Sequence, residues 1–188
     1  MHRIETVEAL EALCGTPGEA ARVKVTDRLT STYRAWIARS RFLVISTVGP
    51  EGTDGSPRGD AGPIVETADA RTLLLPDWRG NNRLDTLKNI VRDGRVALMF
   101  FVAGSNNVIR VNGRAMVSAD PALTRRFEQQ GKHPRSGIVV MIAQAYSQCA
   151  RALMRAEVWT AGDQSEGLPS VGDMLAEAKA GFDGTEYD

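Results

Sequence analysis

The spacing of apolar positions changes several times along the chain, and each change predicts an element. Residues 4–39 show helical spacing in two or three pieces, broken at Gly15-Thr16-Pro17-Gly18, with Trp36 and Ile37 inward and Arg34 and Arg39 in water. The dense run Phe42-Leu43-Val44-Ile45 within 41–48 predicts a buried strand. Gly49-Pro50-Glu51-Gly52 then predicts a turn, with loop continuing through Gly55. A strand from about Gly59 to Glu66 is expected to pair with Arg71–Leu75 through a turn around Asp69.

Leu84, Leu87, Ile90 and Val91 share one helical face, so 83–92 predicts a helix that Gly94 ends. Val96–Val102 reads as a central strand and Asn106–Val117 as another, with Gly113 as a bulge. Asp120-Pro121 opens a short helix, Asp120 as N-cap and Pro121 at its first position. Ile138–Ala145 predicts a strand, Ser147–Met154 a short helix, 160–169 a polar linker and Val171–Lys179 a last helix. Six strands at short spacing predict a mainly β, α+β architecture: a six-stranded antiparallel barrel with helices outside. The expected organisation is one domain, with an N-terminal helical segment (1–39), a barrel core (40–160) and a C-terminal linker and helix (161–188).

Composition narrows the function classes. Of 188 residues, 43% are hydrophobic and 24% charged, which suits a globular chain. Lys and Arg total 23 against 23 Asp and Glu, so no general nucleic-acid role is expected. No long apolar run predicts a membrane span, and Met1-His2-Arg3-Ile4-Glu5 lacks a signal-peptide core, so a cytoplasmic location is expected. Cys14 and Cys149 lie far apart without metal-type spacing, and His2 and His133 are the only histidines, so no metal site is expected. His133 sits in a loop-like segment, and Cys149 has no histidine near it, which favours a small packed cysteine over a nucleophile.

The candidate chemistry lies in two turns. In Leu74-Leu75-Pro76-Asp77-Trp78-Arg79-Gly80-Asn81-Asn82-Arg83-Leu84-Asp85, an apolar run ends and basic and amide side chains gather at a helix start. Helix N–H groups and the dipole favour an anion there. Upstream, Ser56-Pro57-Arg58-Gly59-Asp60-Ala61 offers a second arginine-bearing turn. Each feature has a plainer reading. Arg58 could pair with Asp54 or Asp60, Asn81 or Asn82 could be a simple N-cap, and Lys88 and Arg92 could pair with Asp85 and Asp93. Arg110, between Ile109 and Val111, could be an exposed strand residue. No Walker-type loop occurs.

Together, Ser56-Pro57-Arg58-Gly59-Asp60, the segment 75–87, Asn89-Ile90, Ile109-Arg110-Val111-Asn112-Gly113 and Gln148–Arg155 ending at Trp159 resemble the FMN-binding split-barrel proteins related to pyridoxamine 5′-phosphate oxidase, in their bacterial FMN-dependent branch. The likeness covers roughly residues 35–160. It implies a homodimer with FMN at the subunit interface. Arg58, Gly59 and Asp60 would approach the phosphate and flavin edge, and Asn81, Asn82, Arg83 and Lys88 would complete the phosphate cradle. Arg110 joins the implied cofactor residues, and Gln148, Cys149 and Arg151 would reach the flavin from the partner subunit. The implied activity is hydride transfer between FMN and a small substrate or a nicotinamide, with no catalytic residue assigned. The chain has no arginine after Arg155 and no histidine after His133, so the oxidase's C-terminal substrate motif is missing. The alternatives are a non-catalytic flavin-binding or redox-sensing protein, a barrel using a deazaflavin or haem, and an empty barrel serving as an interaction module.

Overall fold

The computed structural model describes residues 2–187. Three short helices come first: α1 (Val7–Cys14), α2 (Glu19–Val23) and α3 (Ser31–Ile37). Thr6 and Thr30 cap α1 and α3, their hydroxyls accepting from the Ala9 and Tyr33 amides. Only α3 reaches the core, through fully buried Ile37 with Tyr33 and Trp36 packed beside it. Helix α1 buries none of its residues.

Seven strands then form one antiparallel sheet. They are β1 (Phe42–Gly49), β2 (Gly52–Gly59), β3 (Glu66–Thr67), β4 (Thr72–Asp77), β5 (Arg95–Phe101), β6 (Val108–Ser118) and β7 (Ser136–Gln148), in the spatial order β2-β1-β5-β6-β7-β4-β3. Helix α4 (Asp85–Arg92) connects β4 to β5, and α5 (Pro121–Thr124) lies between β6 and β7. After β7 come α6 (Arg151–Arg155), α7 (Val171–Ala178) and a final 3-10 turn. Alternation along the strands supplies one core face, with Leu43, Ile45, Leu73, Leu98, Phe100, Val111, Ile138 and Val140 almost wholly buried.

The sequence pattern predicts six strands, and the seventh is β2. Its sequence, Gly52-Thr53-Asp54-Gly55-Ser56-Pro57-Arg58-Gly59, has no hydrophobic period and reads as loop. It is nonetheless an edge strand, zipped to β1 from Gly49↔Gly52 to Phe42↔Gly59. An edge strand uses one side of its ladder, which is why Pro57 is tolerated there. The strand expected over 59–66 shrinks to the two residues of β3. At the other end of the chain, β7 runs on to Gln148, because its pairing with β6 continues to Val108↔Gln148, and the helix expected from Ser147 starts at Arg151. Gly113 does sit at a bulge, where the β6–β7 register shifts, and Asp120 caps α5 with Pro121 in its first turn.

The sheet curls until its ends meet. Arg58 on β2 pairs with Asp77 on β4 at 3.2 Å, and the Trp78 indole donates to Asp60 at 3.2 Å. These bonds close the seam between β2, at one end of the sheet order, and β4, next to last at the other. Helix α4 is fixed beside the seam by buried Ile90, by Asn89 donating to Thr47 (3.2 Å) and by Thr86 donating to Asp54 (2.6 Å).

Asp93, which follows α4, holds Arg95 through two side-chain hydrogen bonds. That partner lowers its pKa from 3.8 to about 2. A carboxylate depressed on folding contributes stability above its unfolded pKa and loses it as pH falls through the folded one. Denaturant melts between pH 5 and about 2 should therefore show an acid loss that Asp93→Asn makes shallower. An unchanged acid limb in that variant would remove Asp93 from the account.

Candidate functional site: the cleft at the barrel seam

The seam bonds do not fill the space beside them. A cavity of about 580 Å³ opens between β2, the end of β4, the 78–84 loop and the start of α4. That volume lies in the usual range for small-ligand and cofactor pockets. Register explains which β2 side chains enter it. Asp54, Ser56 and Arg58 pair with Thr47, Ile45 and Leu43, so they share the inward face of the sheet, and all three line the cavity.

The 78–84 loop arrives with unusual backbone. Asn82 and Leu84 both adopt left-handed conformations, with φ of 61° and 62°. Asn tolerates this conformation and Leu ordinarily avoids it. Leu84 occupies the N-cap position of α4 and has no oxygen with which to cap it. The Asn81 side chain instead accepts from the Arg83 amide at 3.1 Å. The first turn of α4, residues Asp85, Thr86 and Leu87, therefore lines the cavity without a side-chain cap, at the positive end of the helix dipole.

Charges converge on the same space. Arg58, Arg79, Arg83 and Arg135 face Asp54, Asp77 and Asp85. The acids are engaged: Asp77 by Arg58 and, at 3.4 Å, by Ser136; Asp54 by Thr86; Asp85 by Arg83. Among the described residues, Arg79 and Arg135 form no ion pair. The Arg58 Nε is shut off from solvent and has no hydrogen-bond partner. A buried guanidinium N–H left unpaired is costly, and an anionic oxygen would satisfy it.

The expected site residues separate into two groups. Arg58, Asn81, Asn82 and Arg83 line the cavity. Gly59 and Asp60 lie just beyond it at the end of β2, and Lys88 is exposed on α4 and does not line it. Arg110, Gln148, Cys149 and Arg151 stand elsewhere, around the end of the β6–β7 pair. Arg110 lies over the Tyr146 ring, 5.2 Å from its centroid, and donates to Gln148 at 3.3 Å, while its Nε is buried without a partner. It is thus half-buried rather than an exposed strand residue. Cys149 is exposed rather than packed. The plainer pairings also change: Arg58 joins Asp77, not Asp54 or Asp60, and Arg92 joins Glu51, not Asp93. His133 is held in its loop by a ring nitrogen donating to the Phe127 carbonyl at 2.6 Å.

Arg135 and Ser136 are the lining residues that sequence reasoning misses entirely. Ser136 begins β7 and Arg135 immediately precedes it, and only the pairing of β7 with β4, Ser136 opposite Asp77, brings them to the seam. No local signal marks them.

The fold and cleft define a split β-barrel with an arginine-lined cavity at its seam. The chain belongs to the pyridoxamine 5′-phosphate oxidase family, whose model matches residues 29–149. Among solved structures, HupZ of Group A Streptococcus is 13% identical and superposes with a TM-score of 0.53 over 63% of this chain and 94% of that one. A candidate pyridoxamine 5′-phosphate oxidase from Lactobacillus delbrueckii is 20% identical, with a TM-score of 0.51 over 64% of this chain and 95% of that one. At these identities the likeness shows the fold. No curated protein matches the sequence. Among the described residues, no helix is long and apolar enough to cross a membrane.

Proposed function

We propose that this chain is a homodimeric FMN-binding flavoprotein that transfers hydride between FMN and a small substrate or a nicotinamide. The observation that carries the cofactor reading is the Arg58 guanidinium, with its Nε buried and unpaired at a cavity that also receives an uncapped helix start. A phosphate dianion answers both features at once. Bound FMN would supply the hydride chemistry at its flavin ring.

The chain's own residues bind and orient. Arg58 and Arg83, with Asn81, Asn82 and the first-turn amides of α4, would hold the phosphate. Asp77 keeps the Arg58 fork in place through its ion pair, and Thr86 ties the helix start to β2 through Asp54. No side chain is assigned as a general base, since hydride transfer from a well-positioned donor needs orientation above all. The outward face of β6 and β7, with exposed Met116 and Met141, supports pairing with a second copy. On that face the unpaired Arg110 Nε, with Gln148, Cys149 and Arg151 beyond it, would serve the partner's flavin.

The purified protein is expected to show a two-band yellow absorbance spectrum, to release a species with the mass of FMN on denaturation, and to elute as a dimer. A colourless protein that takes up no added FMN would overturn the reading. A released deazaflavin or haem would overturn the FMN assignment. Arg83→Ala should weaken FMN binding by about 1.5 kcal/mol, the lower end for a hydrogen bond to a charged group, because this side chain is 79% exposed and shared with Asp85. Titration of the apo-protein with FMN measures it, and unchanged affinity would remove Arg83 from the cradle.

A further inference from the structure

A second cavity, of about 680 Å³, opens where β1 begins and β5 ends. Its walls combine the aromatic rings of Phe42, Phe101 and Trp159 with small aliphatic side chains and the cationic Arg39 and Arg41. None of its lining residues carries an acid. Phe42 and Phe101 are cross-strand partners, their rings tilted 51° with centroids 5.7 Å apart. Trp159 reaches the cavity from the C-terminal segment and is anchored by its indole N–H, which donates to the Ser105 carbonyl at 2.9 Å. That bond uses the ring's only donor, so the indole offers a ligand just its apolar surface. Phe42 remains 43% exposed and Trp159 37% exposed, so two large aromatics lining one cavity are left partly in water. Among the described residues, neither Arg39 nor Arg41 has an acidic partner.

We infer that this cavity binds a planar aromatic carboxylate or similarly sized aromatic anion. Aromatic walls accept a flat ring by offset or edge contact. An unpaired guanidinium supplies a planar fork for the carboxylate, and the absence of acids leaves that charge uncancelled. The inference stands apart from the FMN reading, since the seam cavity and this one share no lining residue.

Equilibrium dialysis with 2-naphthoate, and with the neutral 2-naphthalenemethanol as its counterpart, tests it. Saturable binding of one naphthoate per chain is expected, at least about tenfold tighter than the alcohol. The Arg39→Ala/Arg41→Ala double variant should erase that preference, and Ala103→Trp, which fills the cavity from its lining, should abolish both. Arg39, Arg41 and Ala103 are all exposed, so melting temperatures close to the parent's are expected and serve as the folding control. Arg83→Ala should leave naphthoate binding unchanged, which separates this cavity from the seam. Equal affinity for the two probes, retention of the preference without the arginines, or no saturable binding would each overturn the proposal.

Discussion

Arg58→Ala is expected to lower both FMN affinity and stability, because one side chain serves the proposed cradle and the seam. Its Nη1 pairs with Asp77, a carboxylate only 15% exposed, while its Nε has no partner among the described residues. Removing it leaves Asp77 with Ser136 alone, at 3.4 Å, and unties β2 from β4. Losing one member of such a half-buried pair costs about 1–3 kcal/mol of folding stability. The same substitution should weaken FMN binding by roughly 10- to 150-fold, the equivalent of a lost charge-assisted hydrogen bond. Arg58→Lys should recover part of the stability but less of the affinity, since an ammonium cannot reproduce the guanidinium fork. Denaturant melts of the apo-protein and FMN titration separate the two effects. A variant that loses stability and binds FMN as before would leave Arg58 a purely structural residue.

Gly113→Val should be the most damaging single change in the sheet. A Cβ at Gly113 would lie 2.1 Å from the Met141 carbonyl oxygen and 3.0 Å from its carbon. Both are backbone atoms of the paired strand, so no side chain can rotate away. The strands must part at the bulge, in the longest ladder of the sheet. Overpacking of this kind costs about 3 kcal/mol or more. For a chain of this size that corresponds to a fall of roughly 6–12 °C in Tm. Differential scanning calorimetry measures it, and a Tm within a degree or two of the parent would show that the bulge can open without loss.

Much of the barrel is legible along the chain because its central strands are apolar on the core face and each contacts neighbours that demand that pattern. Phe42-Leu43-Val44-Ile45 and 96–102 announce themselves this way, as does the 83–92 helix by its period. The Gly113 bulge and the Asp120 cap are equally local, since each follows from the backbone needs of one or two residues. Strand β2 is different. Its glycines, Asp54 and Pro57 are depleted in strands, and only the ladder offered by β1 makes the segment one. The strand expected from about Gly59 to Glu66 is displaced for the same reason, since Gly59 is taken up as the last residue of β2 and only Glu66–Thr67 pair with β4.

What the sequence by itself determined is the inventory: a barrel-forming set of strands, an arginine turn at Arg58, and a basic, amide-rich segment at the start of α4. Hydrophobic period and turn chemistry are short-range, so they survive without any knowledge of the fold. What only the tertiary structure decided is who meets whom. Curling of the sheet brings Arg58 to Asp77, pairing of β7 with β4 brings Arg135 to the seam, and pairing of β6 with β7 sets Arg110 over Tyr146. Those meetings join residues far apart in the chain, and they exist only because distant segments pair as strands and one edge of the sheet curls round to the other.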